Sequence, residues 1–508
     1  MREIERKYEV PADFRVPAGE LPDGVVLGEP AEHTLTATYY DTPDLRLARD
    51  RVTLRRRTGG KDDGWHVKRP VSADERDELQ LPLGRSATVP ARVSAEVRAL
   101  TRGGRLVPVL RLSTVRTEWP LVGPGGEVLA TVADDKVSST TTGDQPSTRQ
   151  WREVEVELAG GDRSLLKAVD RTLRGAGAVP SSSPSKLARG LDGQQPDEPA
   201  GPPEGTAAAA AAAYLREQRD ALVGMDPRVR RDEPDAVHKM RVATRRARST
   251  LKTFRPLWDR AEADRLRGEL KWLAEVLGGV RDAEVLAARL KAALDQEPPE
   301  LVLGPVAARL VEQLRGASAR HRRTLIAALD GPRYATLLDD LDALLRAPVT
   351  ERGAQPAEDV LRTRVRRVLR EVDQLIGAAI RARHRPAGST AQPLPGVPEP
   401  DEALHEARKA AKRARYAAEA AGPVSGKPAR AVAAAMEQVQ ELLGGHQDSV
   451  VTRSLLRDAA LAAHKAGEPT FTYGRLHAAQ EHSTTSVDAD LTAARKAYRT
   501  KKIRGWLG

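Results

Sequence analysis

Glu3, Glu5 and Lys7 stand two residues apart, and on a β-strand that spacing puts all three side chains on one face. Two carboxylates and an ammonium turned toward a hydrophobic core would be costly, so the face suits an interior that holds ions. The same sorting returns further on. Arg55 and Arg57 share a face, as do Glu153, Glu155 and Glu157, and Val132, Asp134 and Lys136 alternate in the same way. Carboxylate oxygens are the ligands that hard divalent cations prefer, whereas guanidinium groups grip paired oxygens of a multiply charged oxyanion. Acids and bases placed together also relieve the repulsion that either set would suffer alone in a low-dielectric space.

Such residues need strands to hold them. From Met1 to about Leu191, short alternating segments such as Arg51–Arg57, Gly64–Lys68 and Trp151–Leu158 are separated by Gly, Pro and Asp turns. Helices are expected around Ala91–Arg102 and Ser164–Leu173. With ionisable groups on one strand face and Leu or Val on the other, the pattern is the inverse of a filled barrel; it predicts a closed antiparallel β-tunnel of about eight strands around a wet lumen. Gly59 to Gly64 reads as a loop at a tunnel entrance.

Residues 192–206 have the Pro/Gly/acidic composition of an extended linker, so a domain boundary is expected between a first domain, 1–191, and a second, 207–508. From Ala207 onward the composition turns to Ala, Leu, Arg and Glu at helical spacing, which predicts an all-α bundle. A second loop, Pro386 to Pro400, splits it into halves of about 207–385 and 401–508 that repeat each other. Val237-His238-Lys239-Met240-Arg241 aligns with Leu404-His405-Glu406-Ala407-Arg408, and Leu277-Gly278-Gly279-Val280-Arg281-Asp282 aligns with Leu443-Gly444-Gly445-His446-Gln447-Asp448 at nearly the same offset.

Charge separates the two parts. Residues 1–200 hold 30 Lys and Arg against 31 Asp and Glu, so the net +11 of the chain arises in residues 201–508, with 52 against 40. On helices, His238, Arg241, Arg245, Arg248 and Lys252 form one basic stripe, and His405, Arg408, Lys412 and Arg415 form another. Like charges stacked in this way weaken a helix unless an anion lies along them; the alternative is a solvated face paired with acids such as Glu406 or Glu419. A linear polyphosphate fits two stripes facing a common groove. Nucleic acid fits less well, because aromatic residues make up only 3% of the chain and Tyr214, Tyr334 and Tyr416 are too scattered for a stacking platform. The absence of cysteine excludes disulfides, thiolate nucleophiles and zinc-finger thiolates, and fits a reducing cytoplasm. No apolar h-region opens the chain, and its longest apolar run, Ala207 to Leu215, is too short to span a bilayer, so a cytoplasmic protein without a membrane span is expected.

Glu3-x-Glu5-x-Lys7, Tyr39-Tyr40-Asp41-Thr42-Pro43-Asp44-Leu45, Leu54-Arg55-x-Arg57, Trp65-x-x-Lys68, Val115-Arg116-x-Glu118, the Asp134 strand, Val154-Glu155-x-Glu157 and Ser185-Lys186-Leu187 come in one order and spacing. In this the first domain resembles the CYTH family of triphosphate tunnel metalloenzymes, which includes inorganic triphosphatases, thiamine triphosphatases and class IV adenylyl cyclases. The duplicated helical part is similar to the CHAD domain, a module that often follows CYTH and is associated with inorganic polyphosphate. The resemblance implies that Lys7, Arg55, Arg57, Lys68, Arg116 and Lys186 hold a triphosphate, with Lys7, Arg55 and Arg57 catalytic. It also implies that Glu3, Glu5, Asp134, Glu153, Glu155 and Glu157 hold Mg²⁺ or Mn²⁺, and that a metal-associated water attacks the terminal phosphorus. Asp135 competes with Asp134 if a bulge shifts the register. The expected activity is hydrolysis of inorganic tripolyphosphate or another triphosphate, with polyphosphate bound by the helices, in the cytoplasm or at polyphosphate granules. The alternatives are a non-catalytic polyphosphate-binding protein, or a thiamine triphosphatase or adenylyl cyclase, whose organic-cation or base subsite is not legible.

Overall fold

A computed structural model describes residues 2–17, 21, 24–72, 74–85, 88–143, 145–191, 200–383, 400–482 and 487–507. The chain divides into two compact units, Met1–Glu198 and Pro199–Gly508. The expected linker, 192–206, lies partly outside the described residues, as does most of the loop from Pro386 to Pro400.

Eight strands close the first unit into an antiparallel barrel. They are β1 (Arg2–Glu9), β2 (Ala31–Asp41), β3 (Thr53–Thr58), β4 (Gly64–Pro70), β5 (Glu75–Leu81), β6 (Val107–Val122), β7 (Val128–Thr141) and β8 (Thr148–Leu158). Around the barrel the order is β1, β5, β4, β3, β2, β6, β7, β8, and β8 pairs back onto β1. Closure sets Glu5 opposite Glu157, Lys7 opposite Glu155 and Glu9 opposite Glu153. Two further short strands, Val26–Leu27 and Val179–Pro180, add to β6 and β1.

The apolar strand faces turn outward and are covered. Val132 of β7 and Val154 and Val156 of β8 pack with Leu165, Leu166, Val169 and Leu173 of the helix Arg163–Gly175, whose first turn is capped by the Asp162 carboxylate accepting from the amides of Ser164 and Leu165. The barrel interior is not charged throughout. At one end Ala37 and Tyr39 of β2, Leu110 and Leu112 of β6 and Val137 of β7 cluster with Leu187 and Leu191, in and just after the short helix Lys186–Gly190, and that apolar plug bounds the polar part of the lumen.

The second unit is helical. The helix Ala236–Thr253, followed by Arg260–Asp295, matches Pro400–Ser425, followed by Lys427–Lys465. Each basic helix presents one arginine to the first glycine of the Gly-Gly pair in its partner helix. A Cβ at Gly278 would stand 3.7 Å from a terminal nitrogen of Arg241, and one at Gly444 would stand 3.3 Å from that of Arg408. The glycines let a guanidinium lie close against the helix backbone in both halves. The side chains of 445–448, the rest of the second repeat motif, lie outside the described residues. Among the described residues no helix is long and apolar enough to cross a membrane.

Candidate active site

The polar lumen is a cavity of about 260 Å³ whose lining includes eight Lys or Arg and seven Asp or Glu side chains. Because neighbouring strands contribute them at set registers, opposite charges meet across the ladder. Glu155 is the hub: Lys7 Nζ lies 2.5 Å, Lys186 Nζ 2.7 Å and Arg116 Nη2 2.8 Å from its oxygens. Against the cost of burial, Lys186, Lys7 and Arg116 hold the Glu155 carboxyl well below the usual range. Arg116 also forks onto Asp135, with both nitrogen–oxygen distances at 2.7 Å. Lys186 stands 2.9 Å from Asp135 and 2.7 Å from Glu153. Asp135, Glu153 and Glu155 are close enough together to hold a metal ion, yet the Lys186 ammonium already stands among them.

Two arginines are less fully engaged. The Nε atoms of Arg55 and Arg57 are buried without a hydrogen-bond partner among the described residues. Arg55 reaches only as far as the Tyr39 hydroxyl, at 3.5 Å. Burial and the adjacent Arg55 and Arg116 guanidinium groups push Arg57 down to about 9. Its terminal nitrogen meets the Asp62 carboxylate, from the β3–β4 loop. That loop contributes Gly60, Lys61 and Asp62 to the lumen lining.

A surplus of negative charge lies elsewhere. Lys68 Nζ binds both oxygens of Glu3, at 2.5 and 2.6 Å, while Glu5 has Lys7 at 3.1 Å and Arg76 at 3.0 Å. Glu157, paired across from Glu5, is pushed up to about 7 by burial and by Glu3, Glu5 and Glu155 nearby. A carboxylate that resists ionisation beside two others marks a place for one more positive charge.

Of the residues expected here, Glu3, Glu5, Lys7, Arg55, Arg57, Lys68, Arg116, Glu155, Glu157 and Lys186 line one lumen. Glu153 is buried just behind it, held by Lys186 and accepting a 2.6 Å hydrogen bond from the Trp151 indole. Asp134 is a correction. It faces away from the lumen and takes a two-point bond from Arg152, at 2.9 and 2.7 Å, and Arg152 in turn donates to the carbonyls of Ala12 and Phe14. The reason is parity without any bulge: Val132 packs outward on the helix Arg163–Gly175, so Asp134 goes with it and Asp135 turns inward with Thr131 and Ala133. His33, Arg76 and Glu78 also line the lumen and carry no expectation from the sequence, and Glu118, part of the Val115-Arg116-x-Glu118 motif but given no role there, joins them. On β5, Glu-Arg-Asp-Glu, charged residues occupy both faces, so alternation there has nothing to sort.

Comparison with known proteins agrees with this architecture. The CYTH domain family matches residues 1–191 and the CHAD domain family matches residues 213–457. An uncharacterized protein of Mycobacterium tuberculosis strain H37Rv is 40% identical over 524 residues, covering 98% of this chain and 97% of its own. The chain belongs to the CYTH–CHAD family. Among solved structures, PptA from Streptomyces chartreusis is similar at 24% identity and a TM-score of 0.46, covering 57% of this chain and 99% of its own. The CHAD domain from the plant Ricinus communis is similar at 27% identity and a TM-score of 0.42, covering 58% and 93%. CYTH proteins are metal-dependent and act as triphosphatases or cyclases on triphosphate-type substrates.

In the CHAD unit the two basic helices touch. Arg245 Nε donates to the Tyr416 hydroxyl at 2.8 Å, and Arg246 lies over the Tyr416 ring and 3.3 Å from Glu419. Of the first stripe, Arg241 pairs with Asp282 at 3.1 Å. Burial and neighbouring cations push three more of its members down: His238 beside Arg281, Arg248 beside Arg267, and Lys252 beside Arg413. In the second stripe Arg415 is neutralised, with Glu419 and Glu437 each at 2.8 Å, so at that position the acid-paired alternative holds. His405, Arg408 and Lys412 are partly buried along the same helix.

Proposed function

We propose that the CYTH barrel hydrolyses a triphosphate, most simply inorganic tripolyphosphate, with Mg²⁺ or Mn²⁺, and that the CHAD unit binds inorganic polyphosphate. The observation that carries this reading is the pair of buried guanidinium nitrogens, Arg55 Nε and Arg57 Nε, that lack a hydrogen-bond partner among the described residues, in a lumen where Lys7, Lys68, Arg116 and Lys186 are all ion-paired. A buried donor without an acceptor is costly, and phosphate oxygens supply the acceptors. Lys7, Lys68, Arg116 and Lys186 lie in the same lumen and extend the cationic surface along the chain.

The carboxylates that would hold a hard divalent ion are Glu3, Glu5 and Glu157 on two adjacent strands, with Glu155 and Glu153 further along β8; Glu157 is pushed up by burial and by its acidic neighbours. When bound, the ion supplies Lewis-acid charge to the phosphate oxygens and lowers the pKa of a water it carries. Arg55, Arg57 and Arg116 take the charge that builds on the transferring phosphoryl oxygens, and the Glu155 network holds Lys7 and Arg116 in place for that task. Water adds to the terminal phosphorus as the bridging P–O bond breaks, giving orthophosphate and pyrophosphate. The Arg248 and Lys252 stripe, where burial and neighbouring cations outweigh the nearby Glu275, Glu371 and Glu406, draws a polyanion to the CHAD unit; with it the protein would sit with polyphosphate in the cytoplasm.

The test is orthophosphate release by the full chain from tripolyphosphate, ATP, thiamine triphosphate and long-chain polyphosphate, with Mg²⁺, Mn²⁺ or EDTA. Metal-dependent release, fastest from tripolyphosphate, is expected. No release from any of them, with polyphosphate still bound, makes this a binding protein.

A further inference from the structure

The β3–β4 loop brings a carboxylate to Arg57, one of the two lumen arginines whose Nε finds no acceptor among the described residues. The loop backbone is pinned at both ends. Gly59 has φ +96°, and a Cβ there would lie 2.1 Å from the Thr34 carbonyl oxygen; a Cβ at Gly64 would lie 2.5 Å from that of Leu81. Between them, the His66 imidazole donates from Nε2 to the Asp62 carbonyl at 2.9 Å, and the Gly60 amide donates to the Asp63 carboxylate at 2.9 Å. The backbone of Asp62 is therefore held in place, while its side chain is 42% exposed and reaches Arg57, which is 9% exposed. The carboxylate sits on Arg57 with its other side open to water.

We propose that Asp62 is a displaceable internal counter-anion for Arg57 that makes the tunnel select for longer phosphate chains. This rests on the reading of the lumen as a triphosphate site. A ligand must outcompete Asp62 for Arg57. A triphosphate engages several of the remaining cations at once and bears the competition, whereas orthophosphate or pyrophosphate has fewer contacts with which to offset it. The same carboxylate returns to Arg57 as a short product leaves. Asp62 thus sets specificity without touching the reacting phosphorus.

The experiment is calorimetric binding of orthophosphate, pyrophosphate and tripolyphosphate to the full chain, with and without Mg²⁺, in the wild type, Asp62→Asn, Asp63→Asn, Arg57→Ala and the Asp62→Asn/Arg57→Ala double variant. Asp62→Asn is expected to tighten pyrophosphate by about tenfold, because the binding-competent fraction of Arg57 rises, and to tighten tripolyphosphate by less. The gain must vanish in the Arg57→Ala background, since the two residues act as a pair. Asp63→Asn removes the same charge one residue away and should leave all three affinities unchanged. Unchanged or weaker pyrophosphate binding in Asp62→Asn overturns the proposal, as does an equal gain in Asp63→Asn or a gain that survives without Arg57. If Arg57→Ala by itself changes no affinity, the triphosphate reading of the lumen falls and takes this proposal with it; Arg57-dependent binding without an Asp62 effect removes only the latter.

Discussion

In the CYTH barrel, Lys7, Arg116 and Lys186 each have a carboxylate oxygen within 2.8 Å, contributed by a neighbouring strand or by strands facing the plug helix. On the CHAD helix Ala236–Thr253, Arg248 and Lys252 instead lie beside further cations, Arg267 and Arg413. The contrast follows from geometry. Neighbours inside a closed sheet come from different strands, so signs can be interleaved, and the burial that would forbid a lone charge becomes tolerable. Neighbours along a helix stripe come three and four residues apart on one segment, and a stripe of one sign keeps its charges near water. The first arrangement selects a ligand by shape and by the few donors left unpaired. The second attracts a long anion through a field that salt screens.

Breaking the barrel's interleaving should have the largest effect. Lys186→Met leaves Asp135, Glu153 and Glu155 buried around a missing ammonium and should cost about 3–5 kcal/mol in urea unfolding of the barrel. A loss under about 1 kcal/mol would mean that these ion pairs do not hold the plug.

Next comes a residue that the network leaves aside. Arg55→Ala should lower triphosphate turnover roughly 10²–10³-fold, as removal of a transition-state donor does. The unfolding midpoint should barely move, because among the described residues Arg55 hydrogen-bonds only to Tyr39. A parallel fall in stability would make Arg55 a structural cation like Arg116.

The metal-free acidic cluster gives a pH signature of similar or smaller size. Glu157 is raised from 4.5 to about 7 in the folded protein. The folded state therefore holds this proton more tightly than the unfolded state, and the stability it confers is full below pH 4.5 and is lost as pH rises from 4.5 to 7. The upper bound is about 3 kcal/mol. Melting temperature in EDTA should fall across that window, Mg²⁺ should restore it above pH 7, and Glu157→Gln should flatten both responses. A curve that is already flat in wild-type protein with EDTA would show that Lys68 and its neighbours balance the cluster without metal.

The smallest effect belongs to the helix stripe. Arg248→Ala should reduce the slope of log affinity against log salt for long-chain polyphosphate by about one. It should also stabilise the helical unit by a few tenths of a kcal/mol, as relief of a like-charge contact does. An unchanged slope would mean that polyphosphate does not lie along Arg248.

Much was determined by the sequence alone. Period-two sorting of Glu3, Glu5, Lys7, Arg55 and Arg57 implied a charged lumen, and the spacing of eight short motifs carried the resemblance to CYTH. The duplicated His–Arg and Gly–Gly segments marked two matching helical halves, which recur as Arg241 over Gly278 and Arg408 over Gly444. Parity along a strand does not say which parity faces inward where adjacent residues are both Asp; the packing of Val132 against Leu166 and its neighbours decided for Asp135 over Asp134. Nor does one strand know its partner. Only the closure of β8 onto β1 gathered three cations on Glu155, left Glu157 short of one and left Arg55 and Arg57 with unmet donors. Side-chain type and period are local properties that a sequence displays directly, whereas the balance of charge in a buried site is a sum over strands distant in sequence, and only the folded chain performs it.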